Sequence, residues 1–531
     1  MNSPTSAMPP DLIEHWRSLG LSSDLSLGDA MARAARTHPD APFHLHAATG
    51  SRVVTLGEIH TEGRRLAGSI HALGLRAGDT IAMQLPNCVE NAVMFHAAAL
   101  LGCTLLPIVH IFGPAELLHI LSDSGARALV VPDRWRNIDY LDRLDRLPEL
   151  PALKHRIVLG DTVPSSCLDW HALPPGECPE VALATDATAL LLYTSGTTAA
   201  PKGVRHTSRT LLAELAAQDL GWKSAGAALV PWPSGHIAGS LAMLGHAVLA
   251  RPTVVLESWD AAAAARLIEA FAVDQTSGTP FHLAGLLEAA QRDGRDLSSL
   301  KRFIIGATTV PPAVVAASEA AGIRCCRCYG STEMPTISQC DPGDPLEKRL
   351  NTDGRLNPGC EVRIVDDAGA DLSPGGEGEI VVRGAERFAG YTDPALAVTS
   401  FLAGGWFLTG DIGRIDSDGF LTITDRKKDI IIRGGENISS REVEELLLQV
   451  PGVRDAAAIG WPDERMGERV CAVLIVEPAA EVSIDLVART FAALGVARQK
   501  TPERLEIVAE LPRTPTGKVQ KAELRKLVLG T

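Results

Sequence analysis

Between Tyr193 and Gly203 the chain reads Tyr-Thr-Ser-Gly-Thr-Thr-Ala-Ala-Pro-Lys-Gly, hydroxyls and glycines closed by one lysine. Backbone N–H groups and Ser/Thr hydroxyls donate to phosphate oxygens, and a lysine adds point charge, so the run suits a polyphosphate. The apolar residues Ala189 to Leu192 before it predict the end of a buried strand, and a helix is expected after it. The common phosphate loop, G-x-x-x-x-G-K-[ST], does not fit. Lys202 has the right offset from Gly196, but Pro201 replaces the second glycine and Gly203 replaces the Ser/Thr that would bind magnesium. A serine hydrolase is disfavoured too, because Ser195 has Tyr193 where the G-x-S-x-G elbow needs glycine.

Four more runs follow: Tyr329-Gly330-Ser331-Thr332-Glu333; Gly405-Trp406-Phe407-Leu408-Thr409-Gly410-Asp411; Asp425-Arg426-Lys427-Lys428-Asp429, leading to Gly434-Gly435-Glu436-Asn437; and Pro515-Thr516-Gly517-Lys518. In this order the five resemble the signature of the adenylate-forming superfamily. That superfamily holds acyl- and aryl-CoA synthetases, firefly luciferase and the adenylation domains of peptide synthetases. The matching runs span Thr194 to Lys518, most of the chain, and are most similar to those of AMP-forming fatty-acyl- or alicyclic-acyl-CoA synthetases.

The resemblance implies a fold and a reaction. The fold is α/β: a large N-terminal portion of layered α/β sheets with a β-rich subdomain (residues 1–427), then a small mobile α+β C-terminal domain (residues 428–531). The reaction joins a carboxylic acid to AMP using ATP and Mg2+, releasing pyrophosphate, and then passes the acyl group to coenzyme A. Moving charge between two anions needs positioning and electrostatic stabilisation above all. By resemblance, Thr194, Ser195, Gly196, Thr197, Thr198 and Lys202 hold the β- and γ-phosphates, although Ala199 stands where the family usually has glycine. Thr332 donates to the α-phosphate, and Glu333 offers magnesium a hard carboxylate oxygen. Tyr329, followed by Gly330, stacks on adenine, while Asp411 and Arg426 contact the ribose. Lys518 is the catalytic lysine bridging acid and α-phosphate, and Lys428 is the hinge. Gly434 and Gly435 leave room for the thiol arm of CoA.

His236, in Pro233-Ser234-Gly235-His236-Ile237-Ala238-Gly239, matches the position that gates the acyl site. Gly306, Ala307 and Thr308 are expected to line that pocket with Gly239. No aspartate placed to pair an amine is evident in this stretch, which favours an uncharged acyl group. The small residues there suggest a medium-length, branched or alicyclic acid, destined for breakdown as its CoA thioester. Three other readings share part of the pattern: a ligase loading a carrier protein, a luciferase-like oxygenase, and a catalytically silent nucleotide-binding regulator. Gly434-Gly435 and the free-standing architecture favour CoA over a carrier protein, the charged catalytic candidates argue against a silent regulator, and a luciferase-like oxygenase shares both motifs and fold.

These residues need a scaffold, and the sequence supplies one. From Leu25 to Pro175 strand and helix patterns alternate, with a strand expected over Asp79–Leu85 and an apolar helix over Asn91–Leu101. The rhythm resumes at Ala227–Val230 and Arg302–Ile305, implying substantially parallel sheets. From Glu361 short strands and Gly/Asp turns take over. Ser439 to Glu442 matches a capping box opening a helix that Pro451-Gly452 ends. The clustered Cys325, Cys326 and Cys328 are read as small buried residues on a strand, since no second pair or histidine stands at zinc-site spacing.

The 531 residues are 46% hydrophobic and 21% charged, an ordinary globular composition. With 50 Lys+Arg against 64 Asp+Glu, the net charge of −14 argues against nucleic acid as a partner. No run approaches the ~20 apolar residues of a transmembrane segment. Ten cysteines in this length and a polar start at Met1–Asp11 fit a reduced, cytoplasmic protein without a secretory leader. After Lys518 a short helical tail is expected, with no fused carrier domain. The sequence is silent on oligomeric state, and a homodimer stays open.

Overall fold

The computed structural model describes residues 8–194, 201–221, 226–308, 310–433, 436–463, 465–494, 498–514 and 517–530. Short Val/Ile/Leu-rich runs separated by helices form two large sheets, as buried parallel strands require. Among the described residues, one sheet has nine strands. Its parallel centre runs in spatial order Arg324–Tyr329, Arg302–Ile305, Val273–Gly278, Ala227–Val230, Thr253–Leu256 and Pro42–Ala47. The other has eight strands and is built around Thr188–Thr194, Thr104–Pro107, Thr80–Met83, Ala128–Pro132 and His155–Leu159.

Helices fill the space between the sheets. Val89–Leu101 is apolar on nearly every side and buries Val93, Met94, Phe95 and Leu101. It shares one core with Phe43 and Val255 of the first sheet and with Ile81, Leu105 and Leu190 of the second. A helix hydrophobic all round has no solvent face to offer, so it marks the middle of a layered fold. Beyond Glu361 an antiparallel sheet combines Glu361–Val365, Gly378–Arg383, Trp406–Ile415, Phe401–Leu402 and Leu421–Arg426. Past it, Ile431–Arg433, Val453–Asp463, Gly467–Val476 and Arg504–Ile507 belong to a last sheet with its own apolar clusters. The expected fold class is the one found.

Local expectations fared unevenly. Strands Thr80–Met83, Ala227–Val230 and Arg302–Ile305 form, and the apolar helix begins at Val89 rather than Asn91. The phosphate run leads into a strand, not a helix. Lys202–Thr207 returns antiparallel to Thr188–Thr194, with Thr194 opposite Lys202, and it also pairs with Gly390–Tyr391. The alternation of Val204 and His206 on one face of that return is the strand signal that the glycine-rich run masks. Ser439 does cap its helix, accepting from Glu442 N–H at 3.1 Å, but the Glu442 carboxylate turns to Lys500 at 2.6 Å instead of closing a box. Cys325 and Cys326 are buried on the strand Arg324–Tyr329, and no metal-ligand cluster occurs among the described residues.

One buried ion pair ties the parallel sheet to the antiparallel one. Arg327 donates to Asp353 Oδ1 from Nη2 at 2.8 Å and from Nε at 3.2 Å, and from Nη1 to Leu350 O at 2.8 Å. Asp353 Oδ2 then accepts from Ile423 N–H at 2.9 Å, on the strand that carries Arg426. Both side chains are almost wholly buried, at 4% and 7% exposure, so neither charge tolerates loss of the other. Asp353→Ala is expected to destabilise the protein by about 3–5 kcal/mol, whereas Arg327→Met with Asp353→Leu restores much of the loss. Denaturant midpoints of the two variants check this.

Candidate active site

Tyr329 ends a parallel strand, and Gly330, Thr332 and Glu333 follow at its carboxyl end, the place where open α/β sheets bind ligands. Asp411 sits on Trp406–Ile415, directly opposite Arg426 in the ladder. Its Oδ1 accepts from Arg426 Nε at 2.7 Å and its Oδ2 from the Tyr329 hydroxyl at 2.7 Å. Asp411 is 6% exposed, and each of its oxygens keeps a second lone pair for another donor. The Tyr329 ring lies in a core cluster with Met334, Phe388 and Phe407. Burial and the neighbouring carboxylate push its phenol well above the ordinary range. Tyr329 is therefore fixed at both ends, whatever else its ring touches. The following Gly330 is required by contact: a Cβ there would lie 1.9 Å from Pro335 O.

Glu333 and Thr332 leave the same turn. Glu333 Oε1 accepts from the Tyr391 hydroxyl at 2.8 Å, and its backbone O from Phe388 N–H at 2.8 Å. Lys202 Nζ lies 5.5 Å from the Tyr391 ring centroid, so one tyrosine separates the lysine from the carboxylate. Thr332 O is held by His206 Nε2 at 2.7 Å, and burial drives the His206 imidazole down to about 4, leaving it neutral. Thr194 faces Lys202 across the hairpin. Ser195, Gly196, Thr197 and Thr198 lie outside the described residues, as do Gly434 and Gly435. A lone carboxylate such as Glu333 fits a magnesium ion that takes its remaining oxygens from phosphates and water.

Lys518 comes from the far end of the chain. It is half-buried, within electrostatic reach of Arg426, Asp411, Lys428 and Asp429. Burial first, then Arg426, lowers its ammonium to about 8. Lys428 stands in the turn Arg426–Ile430, closed by Asp429 N–H and Ile430 N–H to Arg426 O at 2.8 and 3.1 Å.

Beside Thr332 opens a cavity of about 530 Å³. His236, Ile237, Ala238, Leu241 and Ala242 line one wall, and Gly306 and Ala307 another. His236 precedes the helix Ile237–Leu249, and burial lowers its imidazole to about 4, so at neutral pH it is an uncharged wall. Ala307 holds φ at 65°, a left-handed backbone that a non-glycine residue adopts only under constraint. Two expected pocket residues stand elsewhere. Gly239 does not line the cavity: a Cβ there would meet Pro233 O at 2.1 Å, so this glycine lets the helix start pack on the preceding turn. Thr308 is not among the residues that line the cavity either.

Tyr391 and His206 were not foreseen. Tyrosine is rare here, four in the chain, and three of them (Tyr193, Tyr329 and Tyr391) stand around this site. That rarity was the available signal; for His206 there was none.

The chain is similar to known proteins in sequence and fold. The model of the AMP-binding enzyme family matches residues 31–392, and that of the AMP-binding enzyme C-terminal domain matches 442–518. The medium-chain fatty-acid–CoA ligase of Escherichia coli is 35% identical over 529 residues, covering 97% of this chain and 92% of its own. The structure of o-succinylbenzoate CoA synthetase from Bacillus subtilis with its acyl-adenylate intermediate gives a TM-score of 0.81 at 27% identity, over 93% of this chain and 97% of that one. An amide bond synthetase from Marinactinospora thermotolerans gives 0.83 at 30% identity, over 95% and 100%.

Tyr391→Phe removes the donor that orients Glu333. The loss of one hydrogen bond to a charged group, about 1.5–3 kcal/mol, is expected to raise the magnesium concentration for half-maximal adenylation roughly ten- to a hundredfold. A magnesium titration of pyrophosphate release measures it; an unshifted curve separates Tyr391 from the metal.

Proposed function

The chain belongs to the AMP-binding enzyme family, and on that footing we propose that it is an AMP-forming acyl-CoA synthetase for a medium-length, branched or alicyclic carboxylic acid. The observation that carries this reading is the convergence of Lys518 with the Asp411–Arg426 pair beside a cavity walled by Thr332 and small apolar residues. A nucleotide sugar at Asp411 and an acid in the cavity put the carboxylate and the α-phosphate next to each other.

In the first step an oxygen of the substrate carboxylate attacks the α-phosphorus of ATP. The bond from that phosphorus to the pyrophosphate oxygen breaks, giving acyl-adenylate and pyrophosphate. Lys518 and the Thr332 turn face the charge that builds at the α-phosphoryl oxygens, where preorganised donors lower the barrier. Glu333 and the phosphates would hold magnesium, which supplies countercharge to the leaving pyrophosphate. Neutral His236 closes the cavity wall without taking a proton. In the second step the CoA sulfur, having lost its proton, attacks the acyl carbonyl carbon; the C–O bond to AMP breaks and a thioester forms.

The two steps need different neighbours at the carbonyl, so Lys518 must withdraw before the thiol arrives. We place the division at residues 1–427 and 428–531, with Lys428 as pivot. Just before Lys428, Asp425 accepts from Ser440 N–H at 2.6 Å.

Incubation with ATP, magnesium, a panel of carboxylic acids and CoA is expected to yield AMP and a CoA thioester, read by mass. Absence of pyrophosphate exchange with every acid would sink the reading. In Lys518→Ala, adenylation is expected to be lost while supplied acyl-adenylate and CoA still give thioester.

Lys518 must carry its proton to work, and its pKa is lowered to about 8. The kcat/KM of adenylation is therefore expected to be flat below that value and to fall as pH rises through it. Lys518→Arg, which stays charged, loses that limb if it retains activity. A wild-type profile flat to pH ~10, near the ordinary lysine value, removes Lys518 from the rate-limiting charge stabilisation.

A further inference from the structure

The helix Pro114–Ser124 supplies none of the groups used above, yet two of its side chains reach the phosphate end of the site. Its buried residues Leu117, Ile120 and Leu121 share one core cluster with Ala82, Leu106 and Leu129, which fixes the helix against the second large sheet. His119 and Asp123 are four residues apart, so they stand one above the other on the same side of that fixed helix.

His119 Nε2 lies 2.8 Å from Pro201 O. A carbonyl oxygen only accepts, so this nitrogen carries the proton and donates. The same imidazole meets the Tyr193 ring edge to face, with centroids 6.2 Å apart and planes at 87°. Asp123 Oδ2 accepts twice, from the Tyr193 hydroxyl at 2.6 Å and from Thr392 Oγ1 at 2.8 Å. Burial first, then this carboxylate, pushes the Tyr193 phenol well above its ordinary value, so it remains a donor. Thr392 N–H donates in turn to Gly203 O at 2.8 Å, and a Cβ on Gly203 would lie 2.6 Å from the Thr392 methyl.

Each residue held in this way is the chain neighbour of one to which the resemblance or the geometry gives phosphate or magnesium. Tyr193 precedes Thr194, Pro201 precedes Lys202, and Thr392 follows Tyr391, whose hydroxyl holds Glu333. Consecutive Cα atoms are held about 3.8 Å apart across a planar peptide, so fixing one residue restricts the next. One rigid helix therefore sets three segments that are distant in the chain.

We propose that His119 and Asp123 are positioning residues for the pyrophosphate end of ATP, fixing Thr194, Lys202 and the Tyr391–Glu333 pair relative to one another. This rests on the synthetase reading above, in which those residues meet the β- and γ-phosphates and magnesium. The consequence is selective. ATP and pyrophosphate carry the groups concerned, whereas an acyl-adenylate does not, so loss of the platform weakens the first two and spares the third.

The test uses His119→Ala and Asp123→Ala, with two controls. His119→Gln keeps an amide that can donate to Pro201 O, and Leu118→Ala trims a residue of the same helix that packs against the core cluster. The measurements are KM for ATP in adenylation, KM for pyrophosphate in the reverse reaction, and kcat/KM for thioester formation from supplied acyl-adenylate and CoA. His119→Ala and Asp123→Ala are each expected to raise both KM values roughly tenfold, the size of one lost hydrogen bond, with the thioester step and the KM for the acid unchanged. His119→Gln is expected to recover most of the loss, and Leu118→Ala to lower the denaturation midpoint without moving either KM. If His119→Ala does not fold, Asp123→Ala, altered at an exposed position, decides alone. An unshifted KM for ATP, equal losses in both half-reactions, or the same shift in Leu118→Ala overturns the proposal and leaves the synthetase reading in place. Failure of the wild type to adenylate any acid overturns that reading, and the proposal with it.

Discussion

The carboxylate of Asp411 is the constraint on which this site is built. At 6% exposure it is a charge that water barely reaches, and a buried charge persists only when partners hold it. Its two partners arrive from different places: Arg426 from the adjacent antiparallel strand, Tyr329 from the last strand of the parallel core. The pair Arg327–Asp353 repeats the device one layer down, again joining the strand of Tyr329 to that of Arg426. Two stitched contacts fix the parallel and antiparallel sheets against each other. That rigidity lets a nucleotide be met by preformed acceptors rather than by side chains that must first be ordered.

Charge is distributed unevenly to the same end. The chain carries a net −14, yet Lys202, Arg426, Lys428 and Lys518 gather around this one edge. Crowding and burial raise the free energy of Lys518 as a cation, which is why its pKa falls. A polyanionic nucleotide relieves that repulsion when it binds. The countercharge is therefore stored in the folded protein.

The cavity beside Thr332 is shaped at its mouth by packing. Gly330 and Gly239 let backbones approach where any Cβ would collide, and Ala307 keeps a left-handed conformation beside them. Such tight turns place Thr332 and His236 at fixed distances from the strand ends.

Chemistry was the part legible in the sequence. The five runs from Thr194 to Lys518 are contiguous stretches that can be matched to a family's motifs, and strand–helix alternation is a local property, so the layered α/β class could be read too. What stayed hidden depends on pairs distant in the chain. Tyr391 meets Glu333 across 58 positions, Tyr329 meets Asp411 across 82, and His206 meets Thr332 across 126. No spacing rule links residues so far apart. The strand after the phosphate run and the packing duty of Gly239 had the same cause. Whether a small or charged residue faces a ligand, a neighbour or solvent is set by which strands become adjacent, and only the completed sheets decide that.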